Sequence, residues 1–405
     1  MIPVIPKINF SPHATRLTNF AALCAWLIAS IFMAISSFIW YGEDFKVYYA
    51  AARLLLTGGN PYDYGQLFPI LFDLSGRIGN TPYFYPPWFA WFIMPLGWLP
   101  FEIARGIWML FNLVIWIVGL CQLTKLFDWP DTGWRRWLMF LYATFLFAWV
   151  NWRYEQIGIL LFTLSVYLLW AIRKRRWGWA GLCLALLLIK PNITLVFVMT
   201  VGLWLIRRGQ WQPIRNMYVI LVGLFIVSIA ITPGWYRSFL QPGFESGLVN
   251  ILSGSGRSVA VRINTTMIDW LPSVGIKGYW QATIYLFATI ISGLSLLVAV
   301  FRLNSLIKIV VLSLIVSFIV TPYALQYDFP LLTLPLFWTT SLILQSRQAF
   351  WGGLIISAFN LSVLIWEHPI SDGYWIVIGL VILTIWSWVH TNWQSIPENL
   401  LLEEI

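Results

Sequence analysis

Asp44 is the carboxylate whose neighbours in sequence most suggest chemistry. An apolar run at residues 20–40, long enough to span a bilayer, precedes it. After it, Phe45, Tyr48, Tyr49, Ala52, Leu55 and Leu56 recur at the spacing of one apolar helical face. Gly58 and Gly59 are placed to end that helix and Pro61 to prevent its continuation. The pattern predicts a helix lying in the interfacial plane with its apolar side in lipid. Its first residue, beside Glu43, is then a carboxylate held where membrane meets water. A carboxylate there can act as a general base, taking the proton of an alcohol as that alcohol attacks an electrophilic carbon. Asp is also a favoured helix cap, and one residue can serve both ends.

Lys190 lies between two short apolar segments, 177–189 and 193–206. An ionisable residue at membrane depth is a functional candidate by default, here a point charge for a phosphate; the alternative is a lysine snorkelling to the interface. The loop 253–264 carries Arg257 and Arg262 among glycines and serines, a composition that suits either phosphate binding or a solvated flexible loop. It is not a P-loop, since the GxxxxGK[ST] pattern is absent. Arg53 and Arg153 are further cations for the same role. Glu43, Tyr48, Tyr85, Glu155, Gln156, Tyr327 and Asp328 are candidate contacts for sugar or acceptor hydroxyls, with helix capping the alternative for Glu155, Gln156 and Asp328. The three histidines, His13, His368 and His390, are scattered, so no metal-ligand set is read; a carboxylate-only divalent site stays open.

These residues must be positioned by an unusually apolar chain. Of 405 residues, 60% are hydrophobic and 10% charged, against about a quarter charged in soluble proteins. Repeated apolar runs predict an all-α polytopic membrane protein forming one integral domain over 1–405. A net charge of +9 raises the question of a nucleic-acid partner, but the basic residues cluster in short loops between apolar runs, which points to membrane topology instead. Cys24, Cys121 and Cys183 fall inside apolar runs and suggest no disulfide framework.

Residues 1–19 read as a cytoplasmic tail and 20–40 as a retained first span. Residues 41–100 form a first outer loop, in which 84–99 is a second interfacial or re-entrant helix. A full crossing there would put Arg173-Lys174-Arg175-Arg176 outside, against the positive-inside tendency. Further spans are expected at 103–123, 137–150, 157–172, 177–189, 193–206, 217–231, 280–300, 305–320, 329–345, 349–366 and 374–391. That makes about twelve, with both ends cytoplasmic and a second long outer loop at 232–279.

Asp44-Phe45-x-x-Tyr48-Tyr49-Ala50-Ala51, Gly-x-Asn60-Pro61-Tyr62 and Tyr85-Pro86-Pro87 with Pro95-Leu96 together resemble glycosyltransferase family 87. Glu155-Gln156, Lys190-Pro191, and Thr321-Pro322 with Tyr327-Asp328 are similar to its weaker motifs. The resemblance implies a type C glycosyltransferase fold and an inverting transfer of a hexose, mannose in the family, from a polyprenyl-phosphate donor. The acceptor would be a glycolipid or glycan hydroxyl on the non-cytoplasmic face of the plasma membrane. It implies a catalytic acid in the first outer loop, at the position of Asp44, and no cofactor, the lipid-linked sugar being a co-substrate. Two departures leave sugar and acceptor open: Glu155-Gln156-Ile157-Gly158 stands where Gly-Gln-x-Asn is usual, and no histidine lies near 321–328. From other classes, a lipid-linked-oligosaccharide flippase would need a polar cavity but no base, and a glycan-joining ligase would consume a diphosphate-linked donor.

Overall fold

The computed structural model describes residue 31 and residues 44–75, 82–127, 148–240, 265–345 and 374–390. Among them the chain is helical, with no strand. The first described helix, α1 (Asp44–Leu56), ends as its sequence demands. Gly58 takes φ 74°, the Gly59 N–H reaches the Leu54 carbonyl at 2.7 Å, and the Gly58 N–H reaches that of Leu55 at 3.2 Å. Glycine adopts this left-handed turn without strain, so the last carbonyls are satisfied.

The setting of α1 differs from the expectation. Its apolar side meets protein, and positions 45–52 are buried all round. Phe45 stacks on Trp108 with ring centroids 5.8 Å apart, and Tyr48 meets Tyr85 and Phe89 edge-on at 5.0 Å. The run Ala50-Ala51-Ala52 widens the apolar face and lets neighbours approach closely, and Lys46 is buried with it, so that Arg53 is left as the exposed charge of the helix. A Cβ on Gly97 would lie 3.3 Å from backbone atoms of Ala52 and Arg53.

Three elements pack around α1: α2 (Tyr64–Ser75), α3 (Pro87–Ile93) and a 3-10 turn over Met94–Trp98. The last two, 7 and 5 residues long, are too short to cross a bilayer. Next comes α4 (Phe101–Leu126), of 26 residues. Then follow α5 (Ala148–Tyr154), α6 (Gly158–Arg173), α7 (Trp177–Leu187), α8 (Pro191–Arg207) and α9 (Gln212–Ile231). After α10 (Met267–Ser273) come α11 (Tyr279–Arg302), α12 (Leu306–Val320), a 3-10 turn at Gln326–Leu332, α13 (Thr333–Gln345) and α14 (Tyr374–His390). The expected spans at 20–40 and 349–366, and most of that at 137–150, lie outside the described residues.

Among the described helices, α4, α9 and α11 are long and apolar enough to cross a membrane. The α6 and α12 helices are buried over most of their length and form the centre of the bundle. By contrast α9 and α11 turn Tyr218, Val219, Ile226, Leu286, Phe287 and Val298 outward. An apolar core inside an apolar surface is what lipid as solvent permits. The chain is a membrane protein.

Candidate active site

Asp44 opens α1 and is half-buried. Its Oδ2 accepts a hydrogen bond from Gln156 Nε2 at 2.7 Å. Four residues further along the same face, the Tyr48 hydroxyl lies 2.8 Å from Gln156 Oε1. The Tyr85 hydroxyl is 2.9 Å from that oxygen and 2.9 Å from the Tyr48 hydroxyl. The two phenol protons hold the amide oxygen on the tyrosine side, which leaves the amide N–H groups for the carboxylate. The motif around Asn60 has its role here. Tyr62 donates to the Tyr85 carbonyl at 2.6 Å, and the Asn60 side chain accepts from the Tyr62 N–H at 3.0 Å.

The Glu155–Gln156 turn between α5 and α6 is held from two sides. Arg105 Nε on α4 donates to Glu155 Oε1 at 2.5 Å, and the Trp108 indole donates to the Glu155 carbonyl at 2.8 Å. From α5, Asn151 Nδ2 donates to the Gln156 carbonyl at 2.9 Å. Glu155 adopts φ 55° and is 2% exposed, and its Oε2 has no hydrogen-bond partner among the described residues. Burial pushes its carboxyl up to about 7; Arg105 and Lys46 pull it down, and Asp44 adds to the rise. Arg105 and Trp108 were not singled out from sequence. An arginine inside an otherwise apolar run was the available signal for the first.

A second cluster lies at the start of α8. Lys190 Nζ and Asp328 Oδ1 are 2.6 Å apart, both side chains buried, and the other Asp328 oxygen accepts from the Leu325 N–H at 3.0 Å. Lys190 sits 4.6 Å from the centre of the Tyr327 ring, which packs on Tyr154 at 5.6 Å. Asn192 donates to the Tyr323 carbonyl at 2.8 Å. Gly158 lets the two clusters close up, because a Cβ there would lie 2.3 Å from the Tyr327 carbonyl oxygen. Their proximity is also electrostatic. Burial raises the Tyr85 phenol well above its ordinary range, and both Asp44 and Asp328 add to the rise.

Asp44, Tyr48, Tyr85 and Gln156 are thus joined directly, with Glu155, Lys190, Tyr327 and Asp328 beside them. Lys190 and Asp328, expected on phosphate and sugar respectively, spend their charges on each other. Glu155 turns into α4. Arg53 is exposed over the Tyr49 ring, nine residues from Asp44. That is about 13 Å along the helix axis, away from the carboxylate. Arg153 is half-buried over the ring of Tyr154. Glu43, Arg257 and Arg262 lie outside the described residues. Among the described residues no group of three or more His, Cys, Asp or Glu side chains is gathered to hold a metal ion.

A half-buried carboxylate is thus hydrogen-bonded to an amide that two tyrosines also hold, within an apolar helical bundle. The family model described as glycosyltransferase family 87 matches residues 83–322, more than half of the chain. The chain belongs to that family and is a membrane glycosyltransferase. The match takes in Tyr85, Arg105, Glu155, Gln156 and Lys190, whereas Asp44 and Tyr48 precede it. Neither the curated proteins nor the solved structures give a match.

Proposed function

We propose that the chain transfers a hexose, mannose by its resemblance, from a polyprenyl-phosphate donor to a hydroxyl of a glycolipid or glycan, with inversion and with Asp44 as the general base. The observation that carries this reading is the state of Asp44: half-buried, and presented as an acceptor by the Gln156 amide. In the step, Asp44 takes the acceptor's O–H proton as the acceptor oxygen bonds to the anomeric carbon. The carbon–oxygen bond to phosphate breaks on the opposite face, and its electron pair leaves with the lipid phosphate. Phosphate is a good leaving group, so the step asks for no second acid. Tyr85, half-buried and hydrogen-bonded to Gln156 beside Asp44, is the candidate contact for a sugar hydroxyl. Arg257 and Arg262 are candidates for the donor phosphate on sequence alone.

In this reading the fold is that of a type C glycosyltransferase with about twelve spans. Its site faces the non-cytoplasmic side of the plasma membrane, as the basic loops suggest. Family membership speaks against the flippase reading, since a transferase needs a base and a flippase does not.

The test is Asp44→Asn in membranes supplied with tritiated polyprenyl-phosphate mannose and native lipid extract. Removing a general base is expected to lower transfer by on the order of 10²–10⁴-fold. Full transfer by the variant would refute the mechanism, and the labelled product, one hexose heavier than its precursor in mass spectrometry, identifies the acceptor.

A further inference from the structure

We propose that Arg105 is a positioning residue for this reaction: acting through Glu155, it fixes the turn from which Gln156 holds Asp44. The inference rests on Asp44 being the base. Glu155 is in the left-handed region at φ 55°, which side chains larger than glycine disfavour. The turn is closed locally as a helix end, by Gln156 N–H to the Asn151 carbonyl and Glu155 N–H to the Trp152 carbonyl, each at 3.1 Å, and two side chains of α4 add to that hold. Arg105 and Trp108, three positions apart on α4, take hold of the same residue, one by its carboxylate and one by its carbonyl. If residue 155 relaxed to a right-handed conformation, the Gln156 side chain would swing off Asp44, Tyr48 and Tyr85.

A buried ion pair is commonly no better than well-packed apolar side chains of the same volume, and here one carboxylate oxygen has no hydrogen-bond partner among the described residues. The charged groups acting on Glu155 are Arg105 from α4 and Asp44 and Lys46 from α1. Arg105 is the one that touches its carboxylate and opposes its burial most strongly.

The experiment compares purified variants in proteoliposomes with tritiated polyprenyl-phosphate mannose and native lipid extract. Arg105→Met alone strands a buried carboxylate and is expected to lower the folded yield, so two double variants decide the matter. R105M/E155Q removes both charges but keeps a side chain at the left-handed position. Its kcat is expected to fall by on the order of 10²-fold, with KM for the donor little changed. R105M/E155G removes the same charges and puts there the residue that adopts φ 55° unaided, and its kcat is expected to return to within about threefold of wild type. Recovery of both variants would reduce Arg105 to charge compensation and overturn the inference. Failure of the glycine variant to recover would also overturn it. Wild-type protein that transfers nothing from this donor defeats the proposed function and this inference with it. Wild-type transfer that is lost in Asp44→Asn but kept in R105M/E155Q defeats the inference alone.

Discussion

Gln156→Glu tests the hydrogen bond between Gln156 and the proposed base, Asp44, without changing shape. In the wild type, the amide presents N–H to Asp44 at 2.7 Å and its oxygen to two phenols. A glutamate of the same length keeps the phenol bonds but turns a second carboxylate oxygen towards Asp44. Two unit charges about 4 Å apart repel by about 4 kcal/mol at an effective dielectric of about 20. That corresponds to about three pH units in the first proton taken up by the pair. The sign follows directly. A carboxylate next to another carboxylate holds its proton to higher pH, and a protonated base is idle, so activity disappears as pH falls through the raised value. From an ordinary aspartate value of about 4, the first proton is then held to about pH 7, so transfer is expected to fall by about twofold at pH 7 and by about 30-fold at pH 5.5, and to approach wild type by about pH 9. Initial rates with labelled donor from pH 5.5 to 9.5 measure this. Because the two carboxylates titrate as a pair, the observed limb belongs to both. A profile that overlays wild type would show that Gln156 does not govern the base. An equal loss at every pH would show that it acts only through packing.

Two further outcomes follow from the same geometry. Gly158→Ala puts a methyl group 2.3 Å from the Tyr327 carbonyl oxygen and 2.8 Å from Asn151 Oδ1, and neither can move without shifting the turn that carries Asp328 or the grip on Gln156. A loss of about 3 kcal/mol or more, read as a lower thermal midpoint in detergent, is expected together with reduced transfer. Burial lifts the Glu155 carboxyl from 4.5 to about 7, so between those values the folded protein holds a proton that the unfolded chain has released. Stability therefore falls as pH rises through that window and levels off above it, by up to about 3 kcal/mol in all. Thermal midpoints of Glu155→Gln measured across the window should lack that slope.

What could be read from sequence was what depends on near neighbours. The end of α1 follows from Gly58 and Gly59 alone. The helices α4, α6, α8, α9, α11 and α12 follow from apolar runs between basic loops, and they begin and end within a few residues of expectation. Pairings across the fold were not legible. Gln156 meets Asp44 across 112 residues and Lys190 meets Asp328 across 138, and no local period encodes either distance. Lys190 and Asp328 each looked like ligands because each was considered without the other.

The departure at residues 155–158 shows how far a local reading can go once geometry is added. Where Gly-Gln-x-Asn is usual, this chain has Glu-Gln-x-Gly. The first position sits at φ 55°, a conformation glycine takes freely. The backbone thus keeps a shape suited to glycine while the side chain is glutamate, and the strain of roughly 1–2 kcal/mol is offset by the helix-end hydrogen bonds of the turn together with contacts from outside it. Arg105 and Trp108 supply the latter. The fourth position has exchanged in the opposite sense: glycine is required because the Tyr327 carbonyl fills the space of a side chain. The glutamine between them is hydrogen-bonded to Asp44, as the proposed role of Asp44 requires. Both exchanges therefore alter the support of Gln156 and leave its contacts with Asp44, Tyr48 and Tyr85 in place.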